Sequence, residues 1–184
     1  RNNFVARRLQ QGKVATLLLD LLTSDEAKDR RNVFDIDLQA DRILSAKAWL
    51  EQDDRTKGLG IGYFGASTGA GAALKAAALD PSSIRAVGSR GGRPDLAEPY
   101  LASVTTPTLL IVGEDDEPVL EMNRTAYRRL SCPKRLVIVP DATHLFEEPG
   151  TLEQVTAHAL AWFQHHFHPA QYEGTGAQTK GHHR

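Results

Sequence analysis

The stretch Gly65-Ala66-Ser67-Thr68-Gly69 limits the possible folds more than any other part of the chain. It joins two segments of opposite character. Before it, Leu59 to Phe64 is apolar and of strand length; after it, Ala70 to Leu79 is rich in small helix formers. A strand that turns abruptly into a helix brings two backbones close together, so small residues are needed on both sides of the corner. Ser67 at the corner is then held in strained geometry, and the first N–H groups of the exit helix face the point where its hydroxyl emerges.

The rest of the chain follows an alternating pattern. Asn2 to Gln11 reads as a helix with Phe4, Val5 and Leu9 near one face and Gly12 as its stop. Val14 to Asp20 is a continuous apolar run, which predicts a strand buried on both faces of a parallel sheet. Leu21 to Val33 is a charged loop, with a second reading as a lid. Phe34 to Gln52 reads as a helix with Ile36, Ala40, Ile43 and Leu44 on one stripe. Further strands are expected at Leu59–Phe64, Ile84–Ser89, Pro107–Val112 and Arg135–Val139. Helices are expected at Thr68–Leu79, Asp95–Ser103, Val119–Leu130 and Thr151–Phe167. Strands alternating with helices predict an α/β fold with a mostly parallel, doubly wound sheet. This domain is expected over residues 1–168. Residues 169–184, dominated by Gly, Gln, Thr and Lys, read as a disordered tail.

Composition removes several function classes. The chain has 184 residues, 41% hydrophobic and 24% charged, which suits one globular domain. The net charge is −1 with no basic stripe, so nucleic acid is not an expected partner. Cys132 is the one cysteine, which leaves no intrachain disulfide and no cysteine-based zinc site. Val14 to Leu22 is too short to span a membrane and is interrupted by Asp20. A cytoplasmic protein without membrane contact is expected. His165, His166 and His168 end a surface helix and are not read as a metal site. Gly60-x-Gly62-x-x-Gly65 formally matches a dinucleotide fingerprint, but Ile61, Tyr63 and Phe64 are the strand itself and not a turn after one. No metal and no organic cofactor are expected.

Three chemically useful residues fall just after three of the strands: Ser67, then Asp115 or Asp116, then His144. In parallel α/β sheets ligands bind at that edge. Ser67 Oγ can attack a carbonyl carbon once His144 takes its proton, and an acid can fix the imidazole tautomer and stabilise the imidazolium. The backbone N–H of Thr68 is placed to donate to the resulting oxyanion. Each signal alone is weak, since an Asp after a strand is often only a helix cap. The conjunction and its order carry the reading.

Gly65-Ala66-Ser67-Thr68-Gly69, Gly113-x-x-Asp116-x-x-Val119 and Ala142-Thr143-His144-Leu145-Phe146 together resemble the α/β-hydrolase superfamily. Ser89-Arg90-Gly91-Gly92-Arg93-Pro94-Asp95 and His144-Leu145-Phe146-Glu147-Glu148-Pro149-Gly150 look like its dienelactone-hydrolase-like branch. Some members of that branch occur fused to a phosphoribosyltransferase domain. The resemblance runs from Arg1 to about Phe167. It implies a triad of Ser67, Asp116 and His144, with Asp115 as runner-up acid, acting on a small-molecule carboxylic ester or lactone through an acyl-enzyme. Dienelactone hydrolases proper use a Cys nucleophile; Ser67 here favours a serine esterase. Arg90 and Arg93, just after a strand on the same edge, are candidates to hold an acidic substrate group; the duller reading pairs them with Asp95 and Glu98.

One expected part has no match. In the superfamily the strand before the first helix here ends in a His-Gly-type loop that gives a second oxyanion donor. That strand lies between the Val14–Asp20 strand and the elbow strand. The chain opens at Arg1 in what reads as the middle of a domain, so it is read as an N-terminally truncated hydrolase fold. Without the missing part, either the two flanking strands pair directly or a bare edge remains. A catalytically silent, hydrolase-like binding or regulatory domain is the alternative.

Overall fold

In a computed structural model of the chain, which describes residues 1–167, four strands form one sheet in the order β1-β2-β3-β4. They are β1 (Ile61–Ala66), β2 (Ile84–Arg90), β3 (Thr108–Gly113) and β4 (Lys134–Val139), and every neighbouring pair is parallel. The expected tail and His168 lie outside the described residues. The helices are α1 (Asn2–Gln11), α2 (Arg30–Phe34), α3 (Ile36–Gln52), α4 (Thr68–Leu79), α5 (Glu117–Arg129) and α6 (Thr151–Phe167). A 3₁₀ helix covers Pro94–Ser103, where a short α-helix is the sequence expectation; Pro94 opens it and Pro99 lies inside it, so an α-helical ladder is interrupted.

The α/β architecture is doubly wound. On one face Tyr63, Val87 and Leu110 of the sheet pack with Ala40 of α3, Leu74 and the alanines of α4, and Leu101, Ala126 and Leu130. On the other, Ala86, Leu109, Ile111, Val137 and Val139 pack with Val5 and Leu9 of α1 and Val155, Ala159 and Phe163 of α6. Alternation along each strand sends successive side chains to opposite faces, which is why a nearly continuous apolar run such as Thr108–Gly113 is buried throughout.

Two glycines in strands have a steric cause. A Cβ on Gly62 would come within 2.6 Å of the Phe163 ring, and one on Gly88 within 2.5 Å of the Phe64 ring. The space is taken by an aromatic group in which Phe64 meets Phe163 edge-on and Phe163 stacks on Phe167. Gly62 is therefore a mid-strand packing residue, and the formal dinucleotide pattern has no turn on which to act.

The strand expected at Val14–Asp20 is not formed. The segment has no regular secondary structure and joins no sheet, and Leu17, Leu18 and Leu19 are exposed by 49%, 53% and 46%. An apolar run becomes a strand only when it pairs with a neighbour, and this segment pairs with none among the described residues. The two segments flanking the expected strand do not pair with each other. Among the described residues no strand lies on the outer side of β1. Only at Leu21 does the chain rejoin the packed body. Leu21 packs against the α3–α4 face, its carbonyl accepts from Arg42 at 2.6 Å, and its side chain reaches to 3.8 Å from where a Cβ of Gly69 would stand. No described helix is long and apolar enough to cross a membrane.

Candidate active site

Ser67 sits at the corner between β1 and α4 with φ 50° and ψ −124°. A non-glycine residue there costs about 1–3 kcal/mol and persists only when its surroundings fix it. Here they do. The Ser67 N–H donates to the Arg90 carbonyl at 3.3 Å, and the Ser67 carbonyl accepts from Ala70 at 3.1 Å and from Arg93 at 3.0 Å. A Cβ on Gly65 would lie 2.5 Å from Ala70 Cα, so the strand and helix backbones meet at a distance only glycine allows. Ser67 makes no side-chain capping bond to α4, so the amides of Thr68 and Gly69 have no side-chain partner in their own first turn.

Asp116 and His144 are brought together by the ends of β3 and β4. Ladder-like bonds continue beyond the strands, from Glu114 N to Val139 O at 2.9 Å and from Asp115 N to Ala142 O at 3.0 Å. The close approach needs Gly113, because a Cβ there would strike the Ala142 carbonyl oxygen at 2.2 Å. Asp116 begins α5 without capping it by its side chain. Its Oδ2 lies 2.6 Å from His144 Nδ1 instead, with the carboxylate side chain 12% exposed and the imidazole 38%. Asp115, next door, points its side chain to solvent. The loop carrying His144 is pinned by Glu148, which accepts from Thr143 Oγ1 at 2.5 Å and from Thr143 N at 3.2 Å. The Thr143 hydroxyl bond holds the Glu148 carboxyl below its usual range.

The turn after β2 stands between Ser67 and this pair. Arg90 and Arg93 bond to the Ser67 backbone from either side of Gly91-Gly92, and a Cβ on Gly91 would come 3.4 Å from His144 Nδ1. Ser67, Asp116 and His144 thus occupy one edge of the sheet. No hydrogen bond joins Ser67 Oγ to the His144 ring among the described residues.

The two arginines have separate environments. Arg93 gives Nε and Nη2 to the Asp95 carboxylate at 2.8 and 2.7 Å, and its guanidinium lies 5.8 Å from the Phe34 ring centre. Arg90 is buried, donates to Asn2 Oδ1 at 3.0 Å, and leaves Nη1 without a partner. Burial, and to a lesser degree the nearby Arg1, lowers its pKa. Glu98 pairs with Arg129 and with neither candidate. No group of three or more metal-ligating side chains occurs among the described residues. Asn123 is a site neighbour that sequence reading passed over. It is a polar residue on the buried stripe of α5, between Val119, Leu120 and Ala126, and that misfit was visible in the sequence.

Comparison with known proteins decides the family. A crystal structure of a dienelactone hydrolase from Anabaena variabilis is 52% identical, covers 90% of this chain and 79% of its own, and superposes with a TM-score of 0.86. The chain belongs to the dienelactone-hydrolase-like branch of the α/β-hydrolase superfamily. It has the fold of an α/β-hydrolase enzyme, and the general chemistry of this branch is esterase-type hydrolysis. The esterase domain of a Rhodothermus marinus protein shares the fold at 20% identity, with 90% of this chain and 80% of that one covered and a TM-score of 0.66. Two curated Mycobacterium tuberculosis proteins that carry a phosphoribosyl transferase name are each 55% identical over 166 residues, 90% of this chain. The chain spans 38% of the length of these curated relatives. No protein-family model matches it.

Proposed function

We propose that the chain is a serine-dependent hydrolase domain acting on small carboxylic esters or lactones. Ser67 is the nucleophile, His144 the base and then the acid, and Asp116 the group that orients and stabilises the imidazolium. Thr68 N–H is an oxyanion donor. The observation that carries this reading is the 2.6 Å contact of His144 Nδ1 with Asp116 beside the strained corner at Ser67. With Nδ1 committed to the acid, Nε2 is the nitrogen free to take the Ser67 proton. The acyl-enzyme forms as the Ser67 Oγ–carbonyl bond closes and the alcohol leaves with the proton from His144. Water then attacks, giving its proton to His144, and releases the carboxylic acid and Ser67. The test is covalent labelling by a fluorophosphonate serine probe together with hydrolysis of short p-nitrophenyl esters. Both are expected in the full-length protein and both disappear in Ser67→Ala; equal ester hydrolysis without Ser67 rules the mechanism out.

The alternative, a silent binding domain, draws support from one feature: Ser67 Oγ is not hydrogen-bonded to His144. Absence of labelling in a folded, full-length protein would favour it.

A further inference from the structure

Asn123 is completely buried in the middle of α5. A carboxamide moved out of water needs partners for its polar atoms. Nδ2 donates to the Val119 carbonyl at 2.8 Å and to the Gly92 carbonyl at 3.0 Å, while Oδ1 has no partner. The bond to Val119 is local to the helix. The bond to Gly92 is not: it ties α5 to the turn that follows β2. An apolar residue of similar size would leave no orphaned Oδ1 here, so the Gly92 tether is what the amide contributes.

That turn has little freedom and touches both reacting groups' supports. A Cβ on Gly92 would stand 2.0 Å from Ser89 Oγ and 2.7 Å from Ala70 Cβ, and one on Gly71 would stand 2.7 Å from the Arg93 carbonyl oxygen. The turn is thus wedged onto the start of α4. Arg93 N–H holds the Ser67 carbonyl, and Gly91 lies against the His144 ring. The N-cap of the helix that carries Asn123 is Asp116, which contacts Nδ1 of that ring. A closed path therefore runs from Asp116 through His144 to the Gly91–Arg93 turn and back through Asn123 to α5.

The geometry points to Asn123 as a positioning residue that fixes the Gly91–Arg93 turn between nucleophile and base; this rests on the serine-hydrolase reading above. Asn123 touches no substrate. Its loss shifts the turn and misaligns hydroxyl and imidazole, although every reacting group is still present. Turnover falls and ground-state binding does not.

The test uses the full-length protein, p-nitrophenyl butyrate as substrate, and fluorophosphonate titration to count active sites. Asn123→Leu removes the tether, and Asn123→Asp, nearly the same shape, replaces the donor with an acceptor. Both are expected to lose about 10- to 100-fold in kcat per titrated site, with KM within about twofold of the parent. Leu130→Ala, a buried position at the end of α5 away from the turn, is expected to lower Tm while keeping kcat per site. Either Asn123 variant that folds and keeps kcat per site within about twofold of the parent overturns the proposal. So does a loss no greater than that of Leu130→Ala, or one carried by KM. Labelling that survives in Ser67→Ala is a different failure: it removes the serine reading, and this inference with it.

Discussion

The two flanks of Ser67 are built to different standards. On the β3–β4 flank the backbone bonds run past the strand ends, Gly113 lets the loops touch, and Asp116 meets His144 at 2.6 Å. On the β1 flank no further strand joins the sheet among the described residues. The segment before Leu21 leaves Leu17, Leu18 and Leu19 about half in solvent, and Leu21 makes contact beside Gly69. The Asp116–His144 pair is therefore assembled by two adjacent strands and their loops alone. On the other side of the nucleophile the contact is Leu21, whose side chain lies 3.8 Å from where a Cβ of Gly69 would stand.

The largest effects that would break this contrast lie on the ordered flank. His144→Ala is expected to lower kcat by about 10⁴-fold or more, comparable with Ser67→Ala, because groups that act as a unit fail together. Asp116→Asn is expected to lower kcat per titrated site by about 10³- to 10⁴-fold through the wrong imidazole tautomer, and Asp115→Asn by less than about twofold. Equal losses from the two carboxamides would show that the ring is not held by Asp116. Gly113→Ala comes next. The added methyl meets the Ala142 carbonyl, so an overpacking cost of about 1–3 kcal/mol is expected in denaturant unfolding, with a fall in kcat as the His144 loop shifts.

Smaller effects sharpen the contrast. Glu148 titrates below its ordinary range because Thr143 donates to its carboxylate. A carboxyl with a lowered folded pKa stabilises above its unfolded pKa, near 4.3, and that contribution is lost as pH falls through the folded value. The Tm gap between the parent and Thr143→Val is therefore expected to be fully present at neutral pH and to close in acid; a gap that widens in acid would contradict the assignment. On the open flank, Leu18→Ser is expected to change unfolding free energy by no more than about 0.5 kcal/mol, since an exposed leucine has little apolar contact to lose. A loss of several kcal/mol would mean that the segment is buried as a strand after all.

Much of this was legible from residue order. The corner at Ser67, the strands before the acid and the histidine, and the helices between them each depend on local patterns: an apolar run, a small-residue turn, a helical stripe. Local patterns are what a sequence displays, so the alternation of strands and helices, the parallel sheet, and the positions of Ser67, an acid and His144 just after three strands could be read from it. The tertiary structure alone decided matters of aim and partnership. Which of two adjacent aspartates faces the imidazole depends on backbone angles at the end of β3. That Arg93 turns to Asp95 while Arg90 buries against α1 depends on what stands beside each. Val14–Asp20 has every local mark of a strand and is none, because a strand exists only with a neighbour to bond to, and that neighbour is not part of its own sequence pattern.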